Sequence, residues 1–121
     1  MMDEKLQRVV ESLHEKTRTG KLKWDDISTL TGGDEYRVRL GDIIIEFRSG
    51  QREDLDDTVY LPPTPYCRIL VLNTKGLIVD ECDLTPSNQN YELLSELHDV
   101  IRSGTRKRED TLDQLLQLLA K

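Results

Sequence analysis

Residues 36–48 read Tyr-Arg-Val-Arg-Leu-Gly-Asp-Ile-Ile-Ile-Glu-Phe-Arg. Tyr36, Val38 and Leu40 alternate with Arg37 and Arg39. After Gly41-Asp42, Ile43, Ile45 and Phe47 alternate with Ile44, Glu46 and Arg48. A period of two, carried by β-branched and aromatic side chains, is that of a half-buried strand. A two-residue Gly-Asp loop suits the turn types whose twist matches two antiparallel strands. The resulting register sets Leu40 against Ile43, Val38 against Ile45 and Tyr36 against Phe47 on one face. On the other face it sets Arg39 against Ile44 and Arg37 against Glu46. The core of the fold is therefore expected to lie against the Tyr36–Phe47 side of a hairpin.

A second hairpin is expected from residues 66–72 and 77–84, joined by Asn73-Thr74-Lys75-Gly76. With Leu72 facing Leu77, Leu70 meets Val79, Arg68 meets Glu81 and Cys67 lies opposite Cys82. A register displaced by one sets Leu70 against Asp80 and Ile69 against Glu81, which is poorer. Two cysteines make no disulfide framework, and both read as reduced, small apolar side chains.

Helices flank these strands. Leu6, Val9, Val10 and Leu13 recur at the spacing of one helical face within residues 3–19, and Gly20 provides the stop. Lys16, Arg18 and Lys21 suit the negative end of that helix. Leu22 and Trp24 alternate like a short strand, whereas Asp25-Asp26 suits a turn, and Trp24 reads as a core anchor. Thr85-Pro86-Ser87-Asn88 ends the sheet and offers caps for a helix from about residue 89, with Tyr91, Leu94, Leu97 and Ile101 inward and Leu93 and Val100 on the flanks. A basic break follows, and then a last helix over residues 109–120 carrying Leu112, Leu115, Leu116, Leu118 and Leu119. The expectation is one α+β domain over residues 1–121, with an antiparallel sheet of four to five strands packed against N-terminal and C-terminal helices.

The pattern resembles a family of small stand-alone bacterial proteins of unknown function. The matching residues are Lys16, Thr17, Gly20, Lys21, Leu22 and Trp24, then Gly76, Asp80, Glu81, Tyr91, Leu94 and Leu97, and finally Asp113, Leu115, Leu116 and Leu119. The chain departs from that family in the length of residues 49–65 and in the Arg106-Lys107-Arg108 cluster. No activity comes with the resemblance, and no functional residue is carried over from it.

Composition narrows the function classes. The net charge is -6, with 23 acidic against 17 basic residues, so direct nucleic-acid binding is disfavoured by repulsion from phosphate. No apolar run approaches the roughly 18 residues that span a bilayer, and the charged start (Asp3, Glu4, Lys5) is unlike a secretory signal. A cytoplasmic chain without membrane contact is expected. His14 and His98 sit beside acidic residues in predicted helices, and no His-x-x-x-His or Cys-x-x-Cys spacing suggests a metal. Cys67 and Cys82 lie mid-strand without a partnering base. Glu53, Asp54, Asp56 and Asp57 lack the spacing of a calcium loop and read as a solvated acidic loop. Pro62 and Pro65 read as loop stiffeners. No catalytic residue, metal or cofactor is expected.

The last helix carries more leucine than one sheet face needs, which marks a partner surface or a homodimer seam. The partner-binding candidates are Leu112, Leu115, Leu116 and Leu119, with Arg106, Lys107 and Arg108 beside them. The leading expectation is a non-enzymatic interaction module (adaptor, inhibitor or antitoxin-like) whose partner is a protein or a second copy. The alternatives are a small-ligand or nucleotide binder using the sheet face, Trp24 and the cluster at residues 102–108, and an acidic decoy of a nucleic-acid-binding site.

Overall fold

Asp3 begins the first helix in the way its chemistry dictates. Its carboxylate accepts a hydrogen bond from the Leu6 amide at 2.7 Å, which satisfies one of the amides that a helix start leaves open. In the computed structural model, which describes residues 2–28, 33–52, 55–56, 59–60, 63–105 and 108–120, α1 then runs over Glu4–Arg18. Gly20, at φ +80°, closes it: Gly20 donates to the Thr17 carbonyl at 3.1 Å and Lys21 to the Lys16 carbonyl at 2.9 Å. That pair of bonds is the glycine-dependent helix stop expected at this position. Leu6, Val10 and Leu13 are buried as their spacing requires, while Val9 lies at the margin of the stripe and is 41% exposed.

The strands are β1 (Asp25–Asp26), β2 (Asp34–Leu40), β3 (Ile43–Arg52), β4 (Leu55–Asp56), β5 (Val59–Tyr60), β6 (Thr64–Asn73) and β7 (Ile78–Leu84). Five of them form one antiparallel sheet in the order β1-β2-β3-β6-β7, and β4 and β5 pair with each other. The helices are completed by α2 (Tyr91–Thr105) and α3 (Arg108–Leu119). The α+β class and the five-stranded antiparallel sheet follow the sequence expectation. α1 and α2 pack on each other over the Tyr36, Val38, Ile45, Phe47 and Ile69 face, so the expected covering helix from the C-terminal part of the chain is α2. The ambiguous segment around Trp24 resolves as β1 at Asp25–Asp26, paired with Arg37 and Tyr36.

The first hairpin takes the expected register throughout, from Leu40–Ile43 to Tyr36–Phe47, and extends it to Asp34–Ser49. The second hairpin is corrected by two residues. Its turn is closed by Asn73, whose side chain accepts from the Lys75 and Leu77 amides at 3.0 and 3.1 Å and whose amide donates to the Leu77 carbonyl. Leu72 therefore pairs with Ile78. A bulge then passes Val79, so that Val71 meets Asp80, Leu70 meets Glu81, Arg68 meets Asp83 and Cys67 meets Leu84. A slip of two preserves which face each side chain takes, so both thiols stay in the core, but Cys82 lies opposite Ile69 and not Cys67. The second helix also starts later than expected, at Tyr91. The Asn88 side chain accepts from the Thr85 amide at 2.8 Å and so caps the preceding turn instead of the helix.

Gly33 shows where the fold tolerates no side chain. A Cβ there would lie 1.8 Å from the Ser49 carbonyl oxygen and 2.7 Å from Gly50 Cα, both backbone atoms of β3. Gly104, within α2, has open space where a Cβ would go. Urea denaturation is expected to show Gly33→Ala destabilised by about 1–3 kcal/mol, as for an overpacked core. Gly104→Ala is expected to be stabilised by roughly 0.5–1 kcal/mol through helix propensity.

Candidate functional site

The partner-binding candidates lie on α3, where every described side chain, from Leu112 onward, is exposed. Leu112, Leu115, Leu116, Leu118 and Leu119 are between 44% and 80% exposed. At about 100° of rotation per residue, Leu112, Leu115, Leu116 and Leu119 fall within one arc of roughly 100°, with Leu118 on its flank. Asp113, Gln114 and Gln117 take the opposite side. The leucines are thus brought together as one uncovered stripe. Arg106 and Lys107, and the side chain of Arg108, lie outside the described residues, as do Glu53, Asp54 and Asp57 and the side chain of Asp56.

A cleft of ≈ 350 Å³ opens where α1 and α2 end, lined by Leu22, Lys23, Trp24, Asp25, Ile101 and Gly104, with Thr17, Gly20 and Thr105. The sequence builds it from the glycine stop: the chain reverses at Gly20 and lays Leu22 and Trp24 back against the helices. Trp24 is 6% exposed, and its indole N–H donates to the Thr17 hydroxyl at 2.9 Å. Its polar atom is thus satisfied, and the ring serves as a wall. Trp24 is the core anchor that its sequence position suggested.

One polar cluster escaped the sequence reading. His98, on α2, places Nε2 2.8 Å from Asp34 Oδ2 and 3.2 Å from Ser49 Oγ, and its ring stacks on Phe47 with centroids 5.6 Å apart. The residue types are those of a nucleophilic triad, but the connectivity is not. In a triad the serine and the carboxylate engage opposite ring nitrogens, so that one proton is held while the other moves. Here both partners meet the same nitrogen, and an N–H directed to Asp34 cannot also accept the Ser49 proton. The cluster ties α2 to the paired ends of β2 and β3. The signal was present: His98 lies four residues after Leu94 and three before Ile101, on the inward stripe of its helix.

On the sheet face turned away from the helices, Glu46 is 4% exposed and held by two guanidinium groups. Arg37 Nε lies 3.0 Å from its Oε1 and Arg48 3.1 Å from its Oε2. Arg68 reaches diagonally to Glu81 at 2.8 Å. The two guanidinium groups answer the charge of this buried carboxylate locally, which makes the cluster part of the sheet's structure. Among the described residues, no group of three or more His, Cys, Asp or Glu side chains is placed to hold a metal ion.

The chain matches no known protein family, no curated protein and no solved structure.

Cys67 and Cys82 are both buried. Burial pushes the Cys67 thiol up to about 11, with a hydrogen bond from Tyr91 pulling partly back, and burial raises Cys82 as well. At pH 8 the native chain should react with a disulfide reagent such as Ellman's about 100-fold more slowly than the unfolded chain, because the thiolate is the nucleophile. Rapid native labelling would contradict this placement. The thiols stay protonated in the folded chain where the unfolded chain has already lost its protons. Their contribution to stability is therefore complete below the ordinary thiol range and declines as pH rises from there to about 11.

Proposed function

We propose that this chain is a small, non-enzymatic, cytoplasmic interaction module of the adaptor, inhibitor or antitoxin-like kind, docking on a protein partner through α3. The observation that carries the reading is the exposure of the α3 leucine stripe. The core between α1, α2 and the sheet closes without it: Leu94, Leu97 and Ile101 of α2 and Val10 of α1 are fully buried against Tyr36, Phe47 and Ile69. The i, i+3, i+4, i+7 anchors of α3 are those with which a helix enters a partner's groove. The acidic composition supports a protein over a nucleic acid as the partner. No helix of the described residues is long and apolar enough to cross a membrane, which is compatible with the cytoplasmic assignment. The resemblance to small stand-alone bacterial proteins belongs to the same proposal.

The energetics suit a docking helix of moderate strength. Full burial of a leucine contributes roughly 1.5–3 kcal/mol, so four leucines contribute at most about 6–12 kcal/mol. Association itself costs about 4–15 kcal/mol in lost translation and rotation. The stripe alone is near balance, and tight binding needs a receiving surface that adds contacts of its own.

A Leu115→Glu, Leu119→Glu double variant tests the reading by circular dichroism and light scattering. It is expected to keep its melting temperature within about 4 °C of the intact chain, corresponding to less than about 1 kcal/mol, and to lose association. Cooperative destabilisation beyond that would make the leucines part of the core and would remove the basis for a docking helix.

A further inference from the structure

β7 is the last strand of the sheet, and among the described residues no strand pairs with its outer edge. A strand edge is a row of amides and carbonyls on which a second copy can lay its own strand. The apolar side chains that would strengthen such pairing are also here. Leu77, Ile78 and Val79 are 61%, 55% and 67% exposed, and buried positions appear in β7 only from Cys82 onward. We propose that Asp80, together with the bulge at Val79, keeps this edge closed to the β7 strand of a second copy of the chain.

The ladder shows which amides the edge presents. Asn73 donates to the Leu77 carbonyl, so the hairpin strands are bonded to each other at that position. An antiparallel ladder alternates between bonded and non-bonded pairs. Leu72–Ile78 is then non-bonded, the bulge sets Val79 and Asp80 against Val71, and Leu70–Glu81 is non-bonded again. The Glu81 amide is therefore turned away from β6 and toward the open edge. Asp80 meets it there, its carboxylate accepting from that amide at 2.9 Å.

Glu81 is also the middle residue of β7, which runs over Ile78–Leu84. Two β7 strands brought together antiparallel about a two-fold axis would centre on it. The two Glu81 amides would then each donate to the other copy's Glu81 carbonyl, and Asp80 already occupies that donor. The same pairing would set the two Glu81 side chains directly opposite each other, and like charges there are destabilising. The bulge adds a geometric obstacle, since its extra residue bends the strand and increases its twist. The other edge of the sheet is closed by shortness: β1 is two residues, Asp25–Asp26, both exposed.

The inference is independent of α3, and its test is kept so. The parent is the full chain with Leu115→Glu and Leu119→Glu, in which association through α3 is not read. Into it go Asp80→Ala, which releases the Glu81 amide, and deletion of Val79, which makes the ladder regular. Over a roughly 100-fold range of concentration, light scattering is expected to show the mass of this variant doubling while the parent stays constant. At the concentrated end, the amides of residues 77–84 are expected to exchange hydrogen at least about tenfold more slowly. Ile78→Lys, which places a cation on the edge, should return the variant to a monomer. A folded variant of constant mass would overturn the proposal, as would association without slower exchange at residues 77–84. A parent that gains the same protection with concentration would overturn it too. If the deletion does not fold, Asp80→Ala alone gives the answer at residue 81. That amide is expected to exchange at least about threefold faster than in Asp80→Asn, which keeps an acceptor in place. Equal rates would remove Asp80 as the guard.

Discussion

The strand β3 is paired along both of its edges, and the rest of the molecule depends on that. It bonds to β2 from Ile43 to Ser49 and to β6 along its whole ten-residue length. Its two faces divide the labour. Ile45 and Phe47 point into the core under α1 and α2, while Glu46, between them, gathers Arg37 and Arg48 on the other side. A carboxylate in the middle of a sheet is tolerable only when its charge is answered locally. Strand pairing supplies that answer by setting Arg37 directly across from Glu46. The same register brings Asp34 opposite Ser49 at the end of the ladder, where His98 closes over both. Gly33 then lies so near the β3 backbone that no side chain fits.

Much of this was legible because it is local. The Gly41-Asp42 turn and the two alternating runs define the first hairpin, since a slip by one would put the Tyr36 and Phe47 sets on opposite faces of the sheet. Extending that register by two residues gives Asp34 opposite Ser49, and the helical spacing of residue 98 gives the third member of the cluster. Each step was within reach of the sequence, and only the convergence of α2 on the hairpin end was not, because it is a tertiary event between residues 64 positions apart. The second hairpin failed for a different reason. Asn73 can close its turn with its own side chain, and the bulge at Val79 inserts a residue that no periodicity announces. Both effects shift the partner and leave the face unchanged, which is why the thiols were placed correctly in the core and wrongly opposite each other.

The candidate docking site was legible in a different sense. Leucine spacing alone cannot separate a helix that closes a core from one that meets a partner. What separates them is whether the core is already full. The inward side chains of α1 and α2 occupy the helix-covered face of the sheet, and Trp24 fills the end where the two helices finish. The leucines of α3 are surplus to that arrangement, whereas those of α2 are not, although the two helices have similar spacing in sequence.

That surplus has a thermodynamic consequence for α3 itself. A helix of 12 residues is marginal in water, because nucleation is costly and isolated helices below about 12–15 residues gain too few propagating bonds to offset it. The described side chains of α3 are exposed, so the domain core does little to hold its conformation. Whatever covers the leucine stripe therefore stabilises the helix as well as binding it, and the two free energies are linked. A surface that buries the leucines does both at once.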